Sequence, residues 1–118
     1  MATLFYVHWN EEECLEHVRL LEAEGHTVSC HWSTQSNAKI PAEIDALVIS
    51  LDRLPSHGRA VADAFWSAKK RQVIPVVFVG GEEDKVKVAR DKFPKARFCR
   101  RKQLVAAVAR ITDARADA

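Results

Sequence analysis

The chain has 118 residues, with 18 Lys and Arg against 16 Asp and Glu, a formal net charge of +2, and a composition that is 47% hydrophobic and 29% charged. That is the size and make-up of one globular domain, and so small a positive balance, spread along the chain except near Arg97 to Lys102, argues against nucleic acid as the main partner. No apolar run approaches the roughly 18 residues that span a bilayer, and Met1 to Trp9 lacks the basic start and cleavage site of a signal peptide, so a cytoplasmic protein with no membrane role is expected.

Thr3 to Trp9 is a β-branched and aromatic run that reads as a first strand, and Asn10 followed by Glu11, Glu12 and Glu13 is an N-cap with acids in the first helical turn. Leu15, Val18 and Leu21 recur at helical spacing, Gly25 ends the helix, and His26 to Trp32 starts a second strand. Residues 33–41, STQSNAKIP, are polar turn and cap formers, so a loop or one irregular turn is expected where a doubly wound protein places its second helix. Cys14, Cys30 and Cys99 are an odd number without CxxC spacing, which fits reduced thiols and offers no structural zinc motif.

Ile44 to Ser50 is an apolar run without polar alternation, as in a strand buried on both faces of a parallel sheet. Leu54, Pro55 and Gly58 punctuate the loop after it, and His57 to Lys70 carries helical periodicity with Val61, Ala64, Phe65 and Ala68 on one stripe. Val73 to Val79 is the fourth strand, turned by Gly80 and Gly81 into a charged helix from about Glu82 to Lys92 that Pro94 closes. Lys95 to Cys99 reads as a short edge strand, and Gln103 to Thr112 as an amphipathic helix with Leu104, Val105, Val108 and Ile111 inward, followed by a fraying tail. Five strands alternating with helices predict an α/β three-layer sandwich around a parallel sheet. The expected order is 2-1-3-4-5, flavodoxin-like (CheY-like), with the second helix short or missing.

This order of elements, with DALVIS running to Ser50, then LP and Gly58 eight residues beyond it, and with VIPVVFVGGEEDKVKVARDKF after that, resembles the receiver domain of two-component response regulators over nearly the whole chain. The resemblance implies an aspartate nucleophile for a phosphoryl group, an acidic pair holding magnesium, a hydroxyl residue and a lysine. Counted onto this sequence, the acidic pair falls on His8 and Trp9, the acceptor on Ser50, the hydroxyl position on Gly80 and the lysine on Arg100. Neither imidazole nor indole is a hard oxygen ligand for magnesium, and only the cation survives, as a different kind of donor. The chain therefore looks like a degenerate pseudo-receiver. Asp52, two residues beyond Ser50, is the alternative phosphoacceptor.

His8, His31, His57 and Asp52 all fall near carboxyl ends of strands in this topology, where they could form a metal or acid-base site or simply bond backbone and face water. Trp9 and Trp32 could form an aromatic lip there or cover the core. Trp66 lies about 140° around its helix from Val61, half-covered by a neighbour or an interface anchor. Gly80 and Gly81 lack the spacing of a phosphate loop and read as a turn. His8 to Glu13 stands where a flavodoxin has its hydroxyl-rich loop and would repel a flavin phosphate, so neither flavin nor any other cofactor is expected. In the receiver arrangement the face formed by the fourth helix, fifth strand and fifth helix meets partners. Arg97, Arg100, Arg101 and Lys102 then become candidates for recognising an acidic protein partner or a second copy, with Trp66 as a further candidate contact. The expected function is a non-catalytic regulatory or protein-interaction module. A phosphoacceptor using Asp52 and a small-molecule or metal-binding domain at the sheet's carboxyl edge are the alternatives.

Overall fold

A computed structural model describes residues 2–33, 39–41, 43–52 and 55–116. Along the chain run β1 (Thr3–Val7), α1 (Glu11–Glu22), β2 (Thr27–His31), β3 (Ala46–Ser50), α2 (Pro55–Trp66), β4 (Val76–Val79), α3 (Glu83–Lys92), β5 (Arg97–Cys99) and α4 (Leu104–Ala116), with 3-10 turns at Lys69–Arg71 and Arg101–Gln103. The five strands form one sheet in the order β2-β1-β3-β4-β5, every neighbouring pair parallel. This is the flavodoxin-like winding, whose crevice opens at the carboxyl ends of β1 and β3.

Burial follows position in the sheet. All five residues of β3 and all four of β4 are buried, whereas β2 and β5, at the edges, are half-exposed. Strand alternation divides the side chains between two cores. Phe5, Val7, Leu47, Ile49, Val76 and Phe78 pack with Ala62 and Phe65 of α2 and Ala89 and Phe93 of α3. Leu4, Tyr6, Ala46, Val48, Val77 and Val79 pack with Cys14, Val18 and Leu21 of α1 and Leu104 and Val108 of α4. Two helices thus cover each face, as a three-layer sandwich requires.

Local chemistry sets the helix ends and faces. Asn10 caps α1 through Oδ1, which accepts the Glu13 N–H at 3.0 Å. The stripe that α1 buries is Cys14, His17, Val18 and Leu21, while Leu15 turns outward at 37% exposure. Of the stripe expected on α2, Phe65 is buried and Val61 packs half-buried against the same core, whereas Ala64 and Ala68 are exposed and Ala62 is buried. The reason is Gly58, which lies against the sheet so closely that an added Cβ would sit 2.9 Å from Ile49 Cγ2 and 3.0 Å from the Ser50 carbonyl oxygen. Residues 58, 62 and 65 therefore face inward. The helix also stops at Trp66 rather than Lys70, with the Gln72 side-chain amide donating to the Trp66 carbonyl at 3.2 Å.

Strand β4 starts at Val76, three residues later than its apolar run suggests, and Val73 is 76% exposed. Pro75 brings no N–H to the ladder, though its carbonyl accepts the Leu47 N–H at 3.0 Å. Helix α4 runs to Ala116, beyond the expected end at Thr112. Among the described residues between β2 and β3 none is helical; residues 34–38 of the polar loop, together with Leu54 and the last two residues, lie outside the described residues. Among the described residues no helix is long and apolar enough to cross a membrane.

Candidate functional site

The carboxyl edge of the sheet carries polar groups on the face covered by α1 and α4. Ser50 ends β3 fully buried, and its Oγ accepts the Asp52 N–H at 3.0 Å, which turns the chain back over the sheet. Asp52 Oδ1 then accepts the Gly81 N–H at 2.9 Å, while Oδ2 lies 3.6 Å from Arg101 Nε. The Asp52 side chain is 24% exposed and that of Arg101 59%. Oδ2 is buried and makes no hydrogen bond, so the nearby guanidinium charge is its compensation.

The double glycine is built around this carboxylate. Gly80 and Gly81 have φ of +72° and +89°, and a Cβ on Gly80 would come within 2.9 Å of the Asp52 carboxyl carbon. Their amides are engaged, Gly80 N–H with the Cys99 carbonyl at 2.9 Å and Gly81 N–H with Asp52. A side chain of the protein thus sits where a phosphate cradle would hold its anion. Counting residues places the receiver lysine on Arg100, but the guanidinium that meets Asp52 belongs to Arg101. The Arg100 N–H donates to Gln103 Oε1 at 3.0 Å, and the Gln103 N–H to the Arg100 carbonyl at 2.9 Å, which starts the 3-10 turn.

Beside this turn lies a buried polar cluster. Tyr6 Oη is 2.6 Å from His17 Nδ1, and His8 Nε2 is 3.2 Å from Glu13 Oε1. The His8 ring centroid lies 5.4 Å from that of His17 and 6.0 Å from that of Tyr6. His8 is fully buried and His17 is 7% exposed. Burial, then the nearby Cys14, Asp52 and Cys99, raises the Tyr6 hydroxyl far above its ordinary range, so it stays protonated beside His17. Burial lowers the His17 pKa, and His8 and Arg101 add to the effect against Glu16 and Glu13. Cys14 is buried against Cys30, and burial raises its thiol strongly, as it pushes Cys99 up to about 11. All three cysteines are free thiols. Sequence reading selected His8 but not Tyr6, Glu13 or His17. The 14/17/18/21 spacing was the available signal for His17, since it puts an imidazole in the buried stripe of α1.

The strand-end histidines are not brought together. Trp9 packs on the opposite core, its ring edge-on to His31 at 6.0 Å and to His57 at 5.4 Å. Among the described residues no group of three or more His, Cys, Asp or Glu side chains is arranged to hold a metal ion. Trp32 is 41% exposed. Trp66 is half-buried, with Nε1 donating to the Ile74 carbonyl at 2.9 Å and its ring 6.1 Å from Phe93.

A groove of about 930 Å³ runs between the start of α3 and the β5–α4 junction. Its wall on the β5–α4 side is Arg100, Arg101 and Lys102, its floor includes Phe78, Phe98 and Asp52, and Glu82 and Glu83 form the opposite lip. Phe98 stacks on Phe78 at 5.4 Å with an interplanar angle of 18°, and Arg90 lies over Phe98 at 4.9 Å. Arg97 is exposed on the same edge. The sequence matches no protein-family model, and no curated protein matches it either.

Proposed function

We propose that this chain is a non-catalytic docking module of receiver-like build, in which the α3–β5–α4 face recognises an acidic segment of a protein partner. The observation that carries the reading is the state of Asp52: its carboxylate is held by the Gly81 amide and the Arg101 guanidinium and packed against Gly80. Both carboxylate oxygens are thus engaged by groups of the chain itself, which supports a structural role for Asp52. His8 and Trp9 at the end of β1 add no hard oxygen ligand. On the β5–α4 side the exposed groups are cationic, Arg97, Arg100, Arg101 and Lys102, facing Glu82 and Glu83 across an aromatic floor. Such a wall steers and orients an acidic partner.

Incubation with acetyl phosphate and magnesium followed by intact mass measurement tests the non-catalytic half. No stable gain of a phosphoryl group is expected. A gain that disappears in Asp52→Asn overturns the reading in favour of an aspartyl acceptor. Titration with a glutamate-rich peptide tests the docking half: reversing charge at Arg100 and Lys102 should weaken binding and its salt dependence together.

A further inference from the structure

The outer face of α1 lines neither the carboxyl-edge site nor the groove. Opposite the buried stripe of that helix, Glu12, Leu15 and Arg19 lie along one line at i, i+3 and i+7, and all three are exposed. Leu15 is an apolar side chain left 37% exposed between an acid and a base. Seen from outside, the helix therefore presents acid, apolar group and base in succession over about 10 Å. The groove presents the converse. Arg100 and Lys102 are exposed on its wall, Val86 and Phe98 are half-buried on its floor, and Glu82 and Glu83 are exposed on its lip. Phe78 stacks on Phe98 and Arg90 lies over the same ring, so Val86 and the edge of Phe98 are what the floor offers an apolar side chain. A purely acidic segment is repelled by the lip, whereas one that runs acid, apolar, base complements wall, floor and lip together.

We propose that the segment recognised by the groove is helix α1 of a second copy of this chain, with Glu12 against Arg100 and Lys102, Leu15 on Val86 and Phe98, and Arg19 against Glu82 and Glu83. This rests on the docking reading above and names its partner. A helix laid in a groove is read through side chains at i, i+3 and i+7, and the opposite charges at the two rims set the direction in which it lies. One helix face is a small contact, below the size of a standard interface, so the association is weak and grows with concentration. Because α1 and the groove are different surfaces, the contact is heterologous: a copy that gives its helix to one neighbour keeps its groove open for another. Short head-to-tail runs of copies result.

Sedimentation equilibrium of the whole chain at low salt, from about 10 μM to about 1 mM, reads the association directly. The average mass of the parent should climb with concentration past that of two copies, and fall back toward one copy in about 0.5 M salt. Glu12→Lys with Arg19→Glu reverses the polarity of the helix at unchanged net charge, and Arg100→Glu with Lys102→Glu reverses the wall. Each double variant should be monomeric. The first keeps a native groove and the second a native helix, so an equimolar mixture of the two should combine. Circular dichroism checks that both are folded, and should the helix variant fail to fold, Leu15→Ser takes its place and should weaken association severalfold. A parent that stays monomeric throughout, association that survives in either variant, or variants that do not combine overturns the proposal. A parent mass that levels at two copies overturns the head-to-tail arrangement. A glutamate-rich peptide separates this inference from the reading beneath it: peptide bound by a parent that stays monomeric removes only α1 as the occupant, whereas neither peptide binding nor association removes the docking reading as well.

Discussion

Asp52 accepts the amide of Gly81 at 2.9 Å across a separation of 29 residues, tying the loop after β3 to the loop after β4. Truncation by Asp52→Ala leaves the Gly81 N–H without its acceptor and should cost about 1–3 kcal/mol, read as a lower urea midpoint at unchanged slope. Asp52→Asn keeps an acceptor oxygen and should cost less. Arg101→Ala should cost under about 1 kcal/mol, since its side chain is 59% exposed and the pair is open to solvent screening.

Gly80→Ala is expected to be more harmful than its size suggests. The left-handed backbone, at φ +72°, costs a residue with a Cβ about 1–2 kcal/mol, and the new methyl meets the Asp52 carboxylate. Combining Gly80→Ala with Asp52→Ala removes that contact but not the backbone strain. The double variant should therefore be more stable than the sum of the single losses, which a double-mutant cycle in urea measures.

Stability should depend on acid through His17. Its folded-state pKa lies below that of the unfolded chain, so the unfolded chain binds the extra proton first. Its contribution is complete above about pH 6.5 and is lost as pH falls through that value toward the lower folded pKa. Urea midpoints between neutral pH and pH 5 should fall in the parent and fall less in His17→Gln.

Trp66→Phe separates an internal role from an outward one. The indole N–H bond to the Ile74 carbonyl, at 2.9 Å, is lost while the ring contact with Phe93 is kept. A loss of about 1 kcal/mol in urea is expected, with no change in binding of the glutamate-rich peptide.

Thiol reagents should react slowly with the native protein at Cys99 and Cys14. The Cys99 thiol is pushed up to about 11 by burial and that of Cys14 is raised further, so little thiolate is present near pH 8. Mapping labelled peptides with and without urea checks this, with rapid labelling of both sites on unfolding as the expected contrast.

The sheet was legible because its central strands are unbroken apolar runs bounded by turn formers and alternate with helices, as a parallel sheet requires, and its order is the expected flavodoxin-like 2-1-3-4-5. Periodicity placed Val61 and Phe65 correctly against the core but took Ala64 and Ala68 for Ala62, because it scores side chains and Gly58, which seats this helix on the sheet, has none. The strand-end histidines were legible as a group along the chain but not in space. His8 joins Tyr6 and His17 under α1, whereas His31 and His57 flank Trp9 on the other side. The Asp52–Arg101 pair was beyond residue counting, since the turn after β5 decides which of two adjacent arginines swings back toward the sheet.

The two margins of the sheet differ in a way that bears on how copies of the chain behave at high concentration. β5 offers only three residues for a foreign strand to pair with, and the exposed Arg97 stands at its entrance. A guanidinium there discourages lateral addition. β2 is longer, five residues of TVSCH without a charge other than its terminal imidazole, so growth of fibrous aggregates from partly opened molecules should begin at that margin.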